Sequence, residues 1–301
     1  MAFCIIFIFF SIAGFFGKIW WIFELFSHFR VQYFVLLSFT LFIFLLKRDK
    51  FKILLTSCFA LINSCLIFPL YHYVTPSHAQ NQTTYRIVSY NVHYNNNNYK
   101  ETISFIKQVQ PDIVVLLETD KEWIAEMSKL ETKYPFSITE PLEDSFGISL
   151  YSRFLLTNVQ IRYIGPANLP SVIADVALQN KDLTIIGTHT LPPISANFAS
   201  MRNQQLKELA LVTSAYNKPF ILAGDLNITS WSPYFHDLIK ESGLHDTQKG
   251  FGIQPTWPTM FPPIGITIDH CLVSSDITII NRKSGPHLGS DHRPIIIDFS
   301  I

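Results

Sequence analysis

Phe220-Ile221-Leu222-Ala223-Gly224-Asp225-Leu226-Asn227 reads as a buried strand that stops at a carboxylate and a carboxamide. The apolar run from Phe220 to Ala223 suits an interior strand, and Gly224 lets the backbone turn sharply where the strand ends. Asp225 and Asn227 lie two apart, so an extended backbone points both to one side. Such a pair serves phosphate chemistry: the carboxylate holds or deprotonates a water, and the neutral amide donates to a phosphoryl oxygen without adding negative charge. A strand ending in Gly-Asp is also a common turn, so its partners elsewhere in the chain must decide.

Outward from this strand, residues 85–301 alternate strand and helix patterns. Arg86–Val92 is a strand carrying Asn91, followed by an asparagine loop and a helix through Ile103, Ile106 and Val109 that Pro111 ends. Asp112–Glu118 is a second buried strand, again ending in a carboxylate, and a helix with Trp123, Met127 and Leu130 follows. Strands are expected around Gly147–Tyr151, Leu155–Ile164, Val172–Leu178 and Leu183–His189, then a helix over Ala199–Ala215. A helix near Pro233–Glu241 and strands at Ile266–Val273, Ile277–Ile280 and Pro294–Phe299 complete the order. Five apolar strands thus stop at Asn91, Glu118, His189, Asp225 and Asp269, with Ser290-Asp291-His292 just before the last. Aligned strand ends form a rim, and a mixed α/β sandwich builds its site on such a rim.

Residues 1–74 differ from all this. Ala2–Phe23 is apolar apart from Lys18 and Glu24 beyond it, Phe29–Leu46 is broken only by Arg30 and Gln32, and Ile53–Val74 carries no charge. Spanning a bilayer takes roughly 20 apolar residues, so three transmembrane helices are expected, the second being short. Lys47, Arg48, Lys50 and Lys52 make the second loop the most basic, which places it in the cytoplasm and the domain after it outside. The expected protein is therefore integral to the membrane, with the bilayer as partner of residues 1–74, a linker at 75–84 and an extracytoplasmic domain at 85–301. Residues 75–84 read as a simple tether, with release after a small-x-small cleavage pattern at Ser77-His78-Ala79 the alternative. Asn81-Gln82-Thr83 and Asn227-Ile228-Thr229 both fit a glycosylation sequon and carry no argument.

The formal net charge of zero hides a split. Six of the 23 Lys/Arg and two of the 23 Asp/Glu precede residue 75, which leaves seventeen against twenty-one, a net of −4. An acidic domain without a basic run is poorly suited to gripping a long polyanion. Of four cysteines only Cys271 lies in the domain, which excludes a disulfide framework or a thiolate metal site there and makes Cys271 a buried small hydrophobe. No obligate protein partner is evident.

Taken in order, Ser89-Tyr90-Asn91-Val92, Leu116-Leu117-Glu118, Gly187-Thr188-His189, Gly224-Asp225-Leu226-Asn227, Ile268-Asp269-His270 and Ser290-Asp291-His292-Arg293-Pro294 resemble the motifs of the endonuclease/exonuclease/phosphatase superfamily. That superfamily includes pancreatic deoxyribonuclease, AP endonucleases, neutral sphingomyelinases and inositol polyphosphate phosphatases. The resemblance covers residues 85–301 and implies a four-layer α/β sandwich with a divalent metal, usually Mg²⁺, with Mn²⁺ the alternative. It implies that Glu118 is the principal metal ligand with Asn91 beside it, and that Asp225 and Asn227 orient water and contact phosphate. Asp269 and Asp291 fall among the metal-side and histidine-orienting acids, and His292 lies next to the scissile phosphate. His189 stands where the deoxyribonuclease and sphingomyelinase branches have their second histidine. His93 stands where AP endonucleases have an acidic ligand, which leaves the number of metals open.

The residues themselves agree. Phosphodiester hydrolysis needs an in-line water, neutralised equatorial oxygens and a protonated group near the leaving oxygen. Glu118 and Asn91 offer the hard oxygens that suit Mg²⁺, and a carboxylate paired to His292 would raise its pKa and hold its tautomer. His270 follows Asp269 in a strand and faces the other side, while His236, His245 and His287 read as solvated or capping. Thr256-Trp257-Pro258 and Phe261-Pro262-Pro263 form a stiff aromatic loop, read as a packed connection with a groove-lining or membrane-touching role as alternatives. The expected function is a membrane-anchored hydrolase of phosphoric esters, diesters favoured because both His189 and His292 are present, with nucleic acid, phospholipid headgroups or small diesters as substrates. The alternative is a catalytically idle binding module of the same fold.

Overall fold

The computed structural model describes residues 2–72, 83–179, 181–216 and 219–301. The expected tether lies, but for Thr83 and Thr84, outside the described residues, as do Ala79 and Asn81. Among the described residues, twelve strands form two six-stranded sheets. The first contains β1 (Tyr85–Asn91), β2 (Ile113–Leu117), β3 (Phe136–Glu140), β4 (Ile148–Ser152), β11 (Thr278–Ser284) and β12 (Ile295–Ser300), in the order β11-β12-β1-β2-β4-β3. The second contains β5 (Leu156–Ile164), β6 (Leu169–Ala177), β7 (Asp182–His189), β8 (Phe220–Asp225), β9 (His245–Asp246) and β10 (Asp269–Val273), in the order β5-β6-β7-β8-β10-β9.

The two-residue period of the strands sorts their side chains into three apolar layers. Ile87, Val115 and Ile297 meet Val172, Ile185 and Ala223 between the sheets. Val88, Leu116 and Ile296 face outward onto Ile103, Ile106 and Trp123 of α5 (Tyr99–Val109) and α6 (Lys121–Met127). Ile186, Leu222 and Leu272 face the other way, onto Leu206, Leu209 and Phe235 of α7 (Ala196–Ser214) and α8 (Pro233–Ser242). The result is the expected α/β/β/α four-layer sandwich. Full burial of each such Val, Leu or Ile side chain stabilises by about 1.5–3 kcal/mol, and a one-residue slip would turn the whole set to the wrong layer. Ser195 starts α7 by accepting from the Phe198 amide, and Ser232 and Pro233 start α8, which ends at Gly243.

Three strands depart from the sequence expectations. β3 and β9 were not expected, and β10 begins at Asp269 rather than Ile266. The Thr256 hydroxyl accepts from the Ile268 and Asp269 amides, so the preceding residues belong to the aromatic loop.

The N-terminal region contains α1 (Ala2–Ala13), α2 (Trp21–Leu25), α3 (Arg30–Lys47) and α4 (Lys50–Ile67). The first apolar segment does not form the single helix over 2–23 that its composition predicts. Helical structure stops at Phe16, and a turn follows in which a Cβ on Gly17 would sit 2.9 Å from the Glu24 Cα. Among the described residues two helical stretches, Trp21–Lys47 and Lys50–Leu70, are long and apolar enough to cross a membrane, so the first expected span, Ala2–Phe23, is not among them.

Candidate active site

Strand parity explains why the rim residues converge. Asn91, His189, Asp225 and Asp269 share the parity of Ile87, Ile185, Ala223 and Cys271, the residues that fill the space between the sheets. At the ends of their strands the same direction points into one cavity. Parallel pairing sets Asn91 beside Leu117, just before Glu118, and His189 beside Asp225; antiparallel pairing sets Asp269 opposite Asp225. Gly224 permits the approach: its φ is 152°, and a Cβ there would meet the Thr188 carbonyl oxygen at 1.8 Å. Glu118, Asn227 and His93 hold positive φ values of 61°, 48° and 63°, a costly conformation for non-glycine residues.

Asn91 Nδ2 donates to Glu118 Oε1 at 2.8 Å and lies 3.2 Å from Asp225 Oδ2, so the first strand ties the two carboxylates together. Glu118 Oε2 accepts from the Tyr94 amide at 3.0 Å. Asp225 Oδ1 accepts from the Asn227 amide at 2.9 Å, and the Asn227 carboxamide donates to the Thr190 carbonyl at 2.8 Å and lies 3.4 Å from His189 Nε2. The Asp225 Oδ2 atom faces both imidazoles, 3.5 Å from His189 Nε2 and 3.6 Å from His292 Nε2. Behind His292, Asp269 Oδ2 bonds Nδ1 at 2.8 Å. Ser290 fixes this loop, donating to the Asn91 carbonyl and accepting from the His292 amide.

Burial and charge set the protonation states. Burial alone lowers the His292 pKa, but the Asp269 and Asp225 carboxylates overcome it and push the group up to about 10. His189 follows the same pattern in direction, raised by Asp225 against its burial. Burial raises Asp225, yet His292, His189 and the Asn227 amide outweigh it and lower its pKa. The site therefore holds two imidazoles inclined to be protonated around an ionised carboxylate.

Asp225, Asp269 and His292 also lie close enough to share a cation, within 4.8 Å. Asp269 Oδ2 already bonds His292 Nδ1, and His292 Nε2 lies 3.6 Å from Asp225 Oδ2, so the imidazole stands between the two carboxylates. Glu118 fits a metal better. It is 8% exposed, receives only neutral N–H donors, and makes no ion pair with a basic side chain among the described residues. A buried carboxylate so placed calls for a cation, and its hard oxygen suits a divalent one. Asp291 lines the same cavity, but its Oδ2 accepts from Trp257 Nε1 at 3.0 Å, and its Oδ1 lies 3.9 Å from His93 Nε2. The structure thus joins Asn91 and Glu118 directly and holds Asp291 through Trp257 in the lining of the same cavity.

His270 faces the α8 side as expected, its Nε2 2.7 Å from the Ile228 carbonyl and its ring against Phe235. His236, His245 and His287 are exposed, and Cys271 is buried. The aromatic loop is more than a connection, since Trp257 lines the cavity. Sequence reasoning missed Arg202, whose Nη1 donates to the Asn227 carbonyl at 2.6 Å, and missed Leu25, His28 and Phe29 in the cavity wall.

The chain is thus a two-sheet α/β sandwich that gathers acid, amide and imidazole groups at its strand ends. Residues 88–292 match the Endonuclease/Exonuclease/phosphatase family, and the chain belongs to it. Enzymes of this family are typically dependent on a divalent metal. No curated relative matches the sequence. Among solved structures, the endonuclease/exonuclease/phosphatase from Beutenbergia cavernae is 20% identical, with a TM-score of 0.62 over 73% of this chain and 72% of that one. D. rerio TDP2 in complex with a single-strand DNA product is 18% identical, with a TM-score of 0.61 over 73% of this chain and 100% of that one. Sphingomyelinase C from Streptomyces griseocarneus is 15% identical, with a TM-score of 0.54 over 72% of this chain and 99% of that one. At such identities the likeness is one of fold.

Proposed function

We propose that the protein is a membrane-anchored, Mg²⁺-dependent phosphodiester hydrolase. The observation that carries this reading is the Asp269–His292–Asp225–His189 array set against Asn91 and Glu118. Glu118 and Asn91 would hold the metal, which when bound supplies positive charge for the phosphoryl oxygens. Asp225, ionised and buried, is placed to accept a proton from an attacking water, with the Asn227 backbone amide and the Asn91 carboxamide as neutral donors beside it. His292 carries a proton that Asp269 stabilises, which suits it to neutralise charge on phosphate and to protonate a leaving oxygen. His189 adds a second imidazole from the other flank of Asp225, and two such groups favour a diester over a monoester.

Membrane anchorage is supported by the exposed apolar surface of the helical hairpin, including Phe39, Phe42, Phe51, Leu54 and Leu61. Its two helices have 18 residues each, about 27 Å of rise. The hairpin returns to the sandwich, where Trp231 Nε1 donates to the Leu66 carbonyl at 3.0 Å and the Gly252 amide to the Leu70 carbonyl at 2.7 Å. The basic loop at Lys47–Lys52 lies at the far end, so a cytoplasmic loop gives an extracytoplasmic catalytic domain.

The test is turnover of bis(4-nitrophenyl) phosphate by the full chain in detergent micelles, with Mg²⁺ and with EDTA. Mg²⁺-dependent release of nitrophenolate supports the reading; binding of the diester without turnover would establish the idle module instead.

A further inference from the structure

Residues 21–30 carry Glu24, Ser27, His28 and Arg30, all buried within an otherwise apolar stretch. Charged groups in such a stretch require partners, and two of these find them in the catalytic sandwich. Glu24 Oε2 accepts from Arg202 Nη2 at 2.8 Å, with the side chains 1% and 0% exposed. No other carboxylate pairs with Arg202 among the described residues. The same guanidinium donates to the Asn227 backbone carbonyl, so the N-terminal helix is linked through one side chain to the backbone that carries the Asn227 carboxamide. His28 Nδ1 lies 2.9 Å from Thr229 Oγ1, two residues beyond Asn227. A fragment beginning at residue 80 would leave Arg202 buried without its counter-charge.

The same segment also shapes the cavity. Leu25, His28 and Phe29 line a volume of about 540 Å³ whose base is Glu118, Asp225, His189 and His292. Phe146, Ile194, Phe198 and Trp257 line it too, so apolar side chains supply most of the lining, with Asp291 and His93 as further polar groups. Immediately after Phe29 comes α3, whose Val35, Phe39 and Phe42 are exposed. The apolar wall therefore continues along the chain into an apolar helix surface.

We propose that residues 21–29 are a wall of the active site, that Glu24 positions Asn227 through Arg202, and that the cavity takes phosphodiesters bearing a hydrocarbon group, amphiphiles drawn from the bilayer. This rests on the phosphodiesterase reading above. A long polyanion is the poorer occupant: the residues from 75 onward carry a net of −4, and the cavity walls offer apolar groups where a nucleic acid groove needs cations.

The experiment uses the full chain in detergent micelles with 4-nitrophenyl alkyl phosphodiesters of increasing chain length, from methyl to octyl, each below its micellar concentration. kcat/KM is expected to rise with chain length, by up to about fourfold for each methylene that becomes fully buried, from about 0.8 kcal/mol per group. Replacing Leu25 and Phe29 together by Ser should flatten that slope. Glu24→Ala should lower kcat by about tenfold or more, with a smaller change in KM, and Glu24→Gln, which still accepts from Arg202, should recover most of it. Should Glu24→Ala not yield a monodisperse protein, the chain-length series on the unaltered enzyme decides alone. Turnover independent of chain length overturns the proposal and leaves the phosphodiesterase reading standing, as does faster hydrolysis of single-stranded DNA than of the octyl ester. Absence of turnover on every diester removes both.

Discussion

Replacing Asp269 by Asn removes the charge that keeps His292 protonated while leaving an oxygen to accept from Nδ1. Asp269 is 1% exposed and bonds Nδ1 at 2.8 Å, and its charge is the largest of the influences that raise His292 to about 10 against its burial. Without it, burial is opposed mainly by Asp225, and the imidazole returns toward or below its ordinary value of 6.5. At pH 8 the protonated fraction then falls from nearly complete to about one part in 30, so an acid-catalysed step slows about 30-fold on this ground alone. The basic limb of the rate profile should move downward by one to several pH steps. The assay is kcat/KM against pH for the full chain and for Asp269→Asn on a diester with an alkyl leaving group, because nitrophenolate departs without a proton. A basic limb at the same pH in both proteins would refute the proton-holding role of Asp269.

Further outcomes follow from the same geometry. Because the folded-state pKa of His292 is raised from 6.5 to about 10, its contribution to stability is full below about 6.5 and is lost as pH rises through about 10; thermal unfolding across that window should show the fall, blunted in Asp269→Asn. His189→Ala should lower kcat on a diester by about 100-fold, and a near-normal rate would take His189 out of the chemistry. An alkaline phosphatase fused after Thr84 should be active, since that enzyme needs an oxidising compartment; a silent fusion beside a fluorescent green protein fusion at the same point would invert the topology.

How far the sequence could be read depended on whether a residue's partners were set by strand period or by docking. Asn91, His189, Asp225 and Asp269 sit at strand ends with a shared parity, so apolar runs ending in polar residues reveal both the sandwich and the rim. His270, one residue out of phase, is legible for the same reason. β9 is two residues long and β3 is half-buried, so neither leaves a periodic pattern strong enough to detect. The first apolar segment misled because composition alone does not show where Gly17 lets the chain turn back. Nothing in the sequence marks Arg202, since its significance depends on Glu24, 178 positions away. The signal for that contact was present as Glu24 and His28 four apart in an apolar stretch, where buried charge requires a partner.

In the function proposed above, Glu118 and Asn91 hold a divalent ion beside an acid–imidazole array that cleaves phosphodiesters. Its most direct measurement is a Mg²⁺ titration of bis(4-nitrophenyl) phosphate hydrolysis by the full chain and by Glu118→Gln, with monodispersity and unfolding temperature recorded for both. The account predicts saturable Mg²⁺ activation in the unaltered protein, and in Glu118→Gln a loss of about 100-fold or more in rate together with a midpoint shifted to much higher Mg²⁺, since one carboxylate charge against a divalent ion is worth several kcal/mol. An unchanged rate and an unchanged Mg²⁺ midpoint in a folded Glu118→Gln protein would contradict it.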